Sequence, residues 1–222
     1  MIGSRVAHLA ALVALAVGAS LVAFGCDRQG RSATGLLTPP GAALSAREYE
    51  QWARGEFRKR HPGEKPLNWR IAAKAVEFYH RRPMGRFVLD RNDCSDFVDA
   101  IMDEALGAQA RFRRHSRDHI LARRRVWETL YWDRRTRLQP GDELVVRHSP
   151  WYEPYESRLW HIGVIGTDGQ VYDWTKLRNW REARYGRNSV QWFTRNSPGR
   201  DEIAVVRLAP EYRYCIRPLP LR

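Results

Sequence analysis

The stretch His161-Ile162-Gly163-Val164-Ile165-Gly166-Thr167-Asp168-Gly169-Gln170-Val171-Tyr172-Asp173-Trp174-Thr175 reads as two short strands joined by a tight turn. β-branched and aromatic residues fill both arms, and Asp-Gly at the join is a hairpin signal. Two loops compete. If Thr167-Asp168-Gly169 is a three-residue loop, Gly169 takes the left-handed position and Gly166 faces Gln170. Gly163 then faces Asp173 and His161 faces Thr175, which puts Asp173 diagonal to His161 on one face, within side-chain reach. Gly163, having no side chain, leaves room for that contact. If Asp168-Gly169 alone forms the loop, the register slips by one and Asp173 turns to the opposite face.

Further strands are predicted on either side of the hairpin, at Glu143 to Arg147 and at Ile203 to Leu208, the first opened by Leu138-Gln139-Pro140-Gly141-Asp142. The earlier half of the chain is helical. Ser45-Ala46-Arg47-Glu48 is a capping box for a helix to about Arg60, which His61-Pro62-Gly63 stops. Asn68 can cap a second helix, with Ile71, Ala72, Ala75, Val76 and Tyr79 on one face. A third begins near Cys94, where Phe97, Val98, Ile101, Met102, Ala105 and Leu106 recur at helical spacing and Gly107 ends the run. A basic helical stretch is expected over 111–137. Helices first and an antiparallel sheet second is the α+β pattern.

Asn92-Asp93-Cys94-Ser95-Asp96-Phe97-Val98 places a cysteine where a loop enters a helix. Backbone N–H groups and the helix dipole favour a thiolate there, and the same N–H groups can hold an oxyanion. Asp93 and Asp96 oppose the thiolate, so a positive partner is needed, and His161 as imidazolium is the candidate. Alone, a cysteine at a helix start is more often inert core. His115 and His119 have the i, i+4 spacing of zinc ligands, but many Arg neighbours and no third ligand read as a solvated face. Cys215 reads most simply as a buried residue of the terminal strand, although an oxidising exterior also permits a Cys94–Cys215 disulfide.

The amino terminus reads as an export signal. Residues 9–25 (LAALVALAVGASLVAFG) carry no charge, and Ala23-Phe24-Gly25-Cys26 ends the run as a lipobox does, with Cys26 as the lipidated residue. The expected organisation is a lipoprotein-type signal over 1–25, a Gly- and Pro-rich tether over 26–44, and one domain over 45–222. An uncleaved anchor and ordinary signal cleavage are the alternatives. The formal net charge is +13, almost all from arginine, which suits polyanions. For an exported chain these are envelope polymers and membrane surfaces rather than nucleic acid.

Four motifs in order, Asp93-Cys94-Ser95-Asp96-Phe97-Val98, Arg114-His115-Ser116-Arg117-Asp118, Leu138-Gln139-Pro140-Gly141-Asp142 and His161-Ile162-Gly163-Val164, resemble those of the NlpC-type cell-wall peptidases. The resemblance implies a papain-like fold, with the nucleophile's helix packed on the antiparallel sheet that carries the histidine and extra helices at the N-terminus. It implies Cys94 as nucleophile, His161 as base and Asp173 as the group that orients the histidine. Ser95, Asp96, Trp151 and Tyr152 are the expected substrate contacts, although the aromatic loop at 151–155 reads equally well as packing. The implied activity is hydrolysis of amide bonds in peptidoglycan stem peptides by a monomer facing the periplasm or exterior, with no metal or cofactor. Acyl transfer or hydrolysis on lipid or another amide, and non-catalytic wall binding, are the alternatives. Two departures stand out: Asp96 replaces the family's usual Gly, and its Tyr-x-Trp-Gly-Gly segment before the cysteine is absent. Tyr79 is the nearest candidate for that tyrosine.

Overall fold

Ser45 and Glu48 form the expected reciprocal cap, and α1 runs Ala46–Arg60 before His61 ends it. The structure is a computed structural model that describes residues 44–88, 91–106, 126–132, 136–147, 160–176, 182–195, 203–217 and 219. The amino-terminal signal, Cys26, the tether, the basic stretch with His115 and His119, and the loop with Trp151 and Tyr152 all lie outside the described residues. Among the described residues no helix is long and apolar enough to cross a membrane.

Helix α2 spans Leu67–Arg81, and Pro66 holds the cap position with no side-chain bond. Asn68 is therefore not the cap expected of it. Proline's fixed φ starts the helix two residues earlier, and the Asn68 amide donates instead to the carbonyl of Pro140 at 2.9 Å. Helix α3 spans Cys94–Leu106 and buries every apolar residue that its spacing marked.

The strands are β1 (Trp127–Tyr131), β2 (Glu143–Arg147), β3 (Trp160–Ile165), β4 (Val171–Thr175), β5 (Arg184–Asn188) and β6 (Ile203–Leu208). They form one six-stranded sheet in the order β1-β6-β2-β3-β4-β5, with every neighbouring pair antiparallel. The fold class is α+β. Two further short helices are described, α4 (Val190–Thr194) and α5 (Pro210–Arg213). Residues 127–131, expected to be helical, are instead an edge strand: Trp127 to Tyr131 pair along the open side of β6, from Leu208 back to Ala204.

Alternation divides the core in two. Val145, Ile162, Val164, Tyr172, Trp174, Val206 and Leu208 point toward α2 and α3 and share one cluster with their apolar faces. Leu144, Val146, Ile165, Val171, Ile203 and Val205 point the other way and are covered by Phe193 of α4. At the far end, buried Arg213 donates to Glu50 at 2.9 Å, Glu128 at 3.2 Å and the Leu208 carbonyl at 2.8 Å. That guanidinium ties α1, β1 and β6 together, so the N-terminal helices are packed onto the sheet domain.

Candidate active site

Cys94 is the first residue of α3, and its surroundings follow from the cap. The Asp93 carboxylate accepts from the Ser95 N–H at 2.8 Å, and the Asp96 carboxylate reaches back to the Asp93 N–H at 3.0 Å. The Asp93 carbonyl receives the first helical bond, from Phe97. This is a capping box with aspartate at both ends. Asp96 thus serves the helix terminus, and the hydrogen bond it shows is to backbone rather than toward a ligand. Ser95 is 3% exposed, so its side chain presents almost no surface to a substrate. Its N–H, engaged by Asp93, is also withdrawn from the donors open to an oxyanion.

The hairpin that carries the histidine adopts the three-residue loop. Val164 pairs with Tyr172 and Ile165 with Val171, the Gly166 N–H donates to Gln170 at 2.8 Å, and Gly169 has φ +76°. Continued by count, this register sets Gly163 opposite Asp173 and His161 opposite Thr175. A Cβ on Gly163 would lie 2.6 Å from a Val171 methyl, 2.9 Å from the Tyr172 carbonyl oxygen and 3.3 Å from the Asp173 Cβ. The bare glycine is what lets this strand pair close beside Asp173.

His161 and Asp173 meet as the register requires: Nε2 lies 2.7 Å from Oδ2, with Asp173 only 1% exposed. The other ring nitrogen is left for Cys94, to which the imidazole is also hydrogen-bonded. Phe193 lies over the imidazole at 5.1 Å between ring centroids. Burial, the largest single influence on the ring, would lower its pKa from the ordinary 6.5; the Cys94 thiolate and the Asp173 carboxylate outweigh it and push His161 up to about 10. Charge on the ring in turn favours thiolate on the sulfur. Neither Cys94 nor Cys215 is in a disulfide, and Cys215, expected buried in a terminal strand, is half-buried in the turn that follows α5, with its N–H bonded to the Tyr212 carbonyl.

The structure therefore brings Cys94, His161 and Asp173 together, with Ser95 and Asp96 in the turn behind the sulfur. Tyr79 is not beside them: its ring packs edge-on against Tyr172, 5.5 Å away. Three neighbours escaped the sequence reading. Asn188 donates to Asp173 Oδ1 at 3.0 Å, Gly186 pairs opposite Asp173, and Phe193 covers His161. A local signal existed only for Phe193: Ser189 caps α4 through the Trp192 N–H and so marks a helix start. Among the described residues no group of three His, Cys, Asp or Glu side chains is arranged to hold a metal ion. No family model matches the chain, and neither does any curated protein or solved structure.

Proposed function

We propose that the protein is a papain-like cysteine hydrolase that cleaves amide bonds, with the peptide stems of peptidoglycan as substrate. The observation that carries this reading is the continuous line from Cys94 through His161 to Asp173, with a 2.7 Å bond between the last two. The motif resemblance to NlpC-type peptidases supplies the substrate class.

The chemistry follows from the positions. The Cys94 sulfur attacks the amide carbonyl carbon as a thiolate, and the carbonyl π electrons move to oxygen. The His161 imidazolium gives its proton to the leaving amine, so the C–N bond breaks and a thioester remains on Cys94. Neutral His161 then takes a proton from water, whose oxygen attacks the thioester; the C–S bond breaks, the acid leaves, and the thiolate–imidazolium pair is restored. Throughout, Asp173 keeps Nε2 protonated and turns the other nitrogen toward sulfur, as the aspartate of a catalytic triad does. The groups named suffice for these steps, and no cofactor is called for. Export and an acyl anchor on Cys26 would hold a monomer beside the wall, with its arginine-rich surface attracting anionic envelope polymers rather than nucleic acid.

Digestion of purified cell-wall sacculi tests the reading. The full-length protein should release fragments whose masses show one hydrolysed amide in the stem peptide, and Cys94→Ala should release none. Sacculi left intact by a protein whose Cys94 reacts readily with iodoacetamide would move the substrate to another amide or ester.

A further inference from the structure

We infer that Asn188 is a positioning residue of the site, acting through Asp173 to aim the His161 ring. The inference rests on the Cys94–His161 pair proposed above and extends it by one strand. A buried carboxylate has two oxygens to satisfy, and each has its own partner here. Oδ2 meets His161 Nε2 at 2.7 Å, and Oδ1 accepts from Asn188 Nδ2 at 3.0 Å. With both oxygens engaged the carboxylate plane is fixed, and with it the direction of the Oδ2 lone pair that His161 uses.

The backbone around Asp173 is shaped for this arrangement. Asn188 pairs with Val171 on β4, which puts its side chain on the same face as Asp173, one diagonal step away. Directly opposite Asp173 stands Gly186, and a Cβ there would overlap Asp173 Oδ1 and come within 2.8 Å of its Cγ. On the other side Gly163 is equally closed to a side chain. Two flanking strands thus each offer a glycine at the level of the carboxylate, and from β5 the Asn188 amide reaches over to it. Neighbouring Arg187 points to the opposite face and engages Asp168 at 2.7 Å instead. An edge strand with no role would have no reason to match the carboxylate in this way.

The groups facing the imidazole on the described elements can be named. Cys94 comes from α3 and Asp173 from β4, both charged partners, while β2 presents Val146 opposite His161, α4 presents Phe193, and β5 carries Arg184 on the same face, opposite Thr175. Asn188 is uncharged and does not touch the ring, so its effect on the ring's proton must pass through Asp173.

The test is the titration of His161 by its side-chain ¹⁵N shifts in the full-length protein, assigned with His161→Gln. In Asn188→Leu, which keeps the bulk and loses the donor, His161 should release its proton about one pH unit lower than in the wild type, roughly a tenfold change in the ring's proton affinity. Gly186→Ala should move it the same way by displacing Oδ1. Arg187→Ala, next along the strand, should leave it unchanged. If Asn188→Leu does not fold, Asn188→Ala replaces it with the same expectation. Folded variants in which His161 titrates as in the wild type overturn the inference, and so does an equal shift in Arg187→Ala. A wild-type protein with a high His161 titration that cuts no wall peptide removes the substrate reading and leaves this comparison as decisive as before.

Discussion

Strands β4 and β5 work differently on their two sides. Toward the helices they present Tyr172, Trp174 and Tyr185, which build an aromatic layer. Trp174 and Tyr185 lie 4.5 Å apart, Phe87 packs on Trp174 and Phe97 of α3 packs on Tyr185, each at 6.0 Å. The Tyr185 hydroxyl donates to the Met84 carbonyl at 3.2 Å and accepts from the Met84 N–H, fixing the segment that leads into the Cys94 loop. On the opposite side Asp173 bonds His161, Asn188 bonds Asp173, and Gly186 stands opposite that carboxylate. One face therefore locates the Cys94 helix by ring packing, and the other orients His161 by hydrogen bonds. Because a strand alternates with period two, the two functions share a backbone without sharing a side chain.

The polar side stands or falls first on the chemistry at Cys94. In the proposed mechanism Cys94→Ala should lower turnover by several orders of magnitude, since Cys94 forms the acyl intermediate, while thermal stability changes little. Residual activity near wild type, measured on the best substrate found, would dissolve the distinction between the faces. A second measurement uses pH. The His161 proton is held to about 10 against an ordinary 6.5, so the stability it contributes is complete below about 6.5 and is lost as pH rises through about 10. Asp173→Asn should bring the loss of the ring proton down toward neutrality, and ¹⁵N shifts of His161 read this directly. A profile unmoved by Asp173→Asn would leave Cys94 as the only charge that matters to the ring.

How far the two faces were readable from sequence differs with the range of the contacts. The hairpin was legible because Gly169 and Gly163 are local requirements: a left-handed turn residue and a position with no room for a side chain. Helix α3 was legible from its apolar period. The strands missed are β1 and β5, the two edges of the sheet. Arg184-Tyr185-Gly186-Arg187-Asn188 has two arginines and one large apolar residue, so alternation gives no signal. Its identity comes from pairing with β4, which only the folded register creates. Asn188 was hidden for the same reason, since its partner lies 15 residues away on another strand. Asp96 shows the reverse case: the expectation of a substrate contact leaned on the resemblance to NlpC-type peptidases, whereas the hydrogen bond it shows completes the local cap.

Two smaller substitutions sharpen the contrast. Phe193→Ala should cost about 3–5 kcal/mol of stability, as for other buried phenylalanines, and should also loosen the ring it covers. Chemical denaturation gives the first, and broadened His161 resonances the second. A stability loss with no change at His161 would make Phe193 a core residue only. Asp96→Gly should cost about 1 kcal/mol through the lost cap and a poorer helix former, with the pH profile of Cys94 alkylation by iodoacetamide little changed. A markedly faster alkylation near neutral pH would show the carboxylate acting on the sulfur as well as on the helix.

The smallest expected effect belongs to the aromatic face. Trp174 is 5% exposed, yet its indole N–H has no hydrogen-bond partner among the described residues. A buried donor left unsatisfied costs roughly 1–3 kcal/mol, comparable to the apolar area that a smaller ring would forfeit. Trp174→Phe removes that donor while leaving a ring to pack against Tyr185 and Phe87. The two changes oppose each other, so stability should move by less than about 1 kcal/mol, and His161 should titrate as before because Trp174 faces away from it. Ring contact is what this face supplies, and phenylalanine keeps it. A loss of 3 kcal/mol or more in urea unfolding would mean that the indole nitrogen has a partner that matters, and the aromatic layer would then be a hydrogen-bonded layer too.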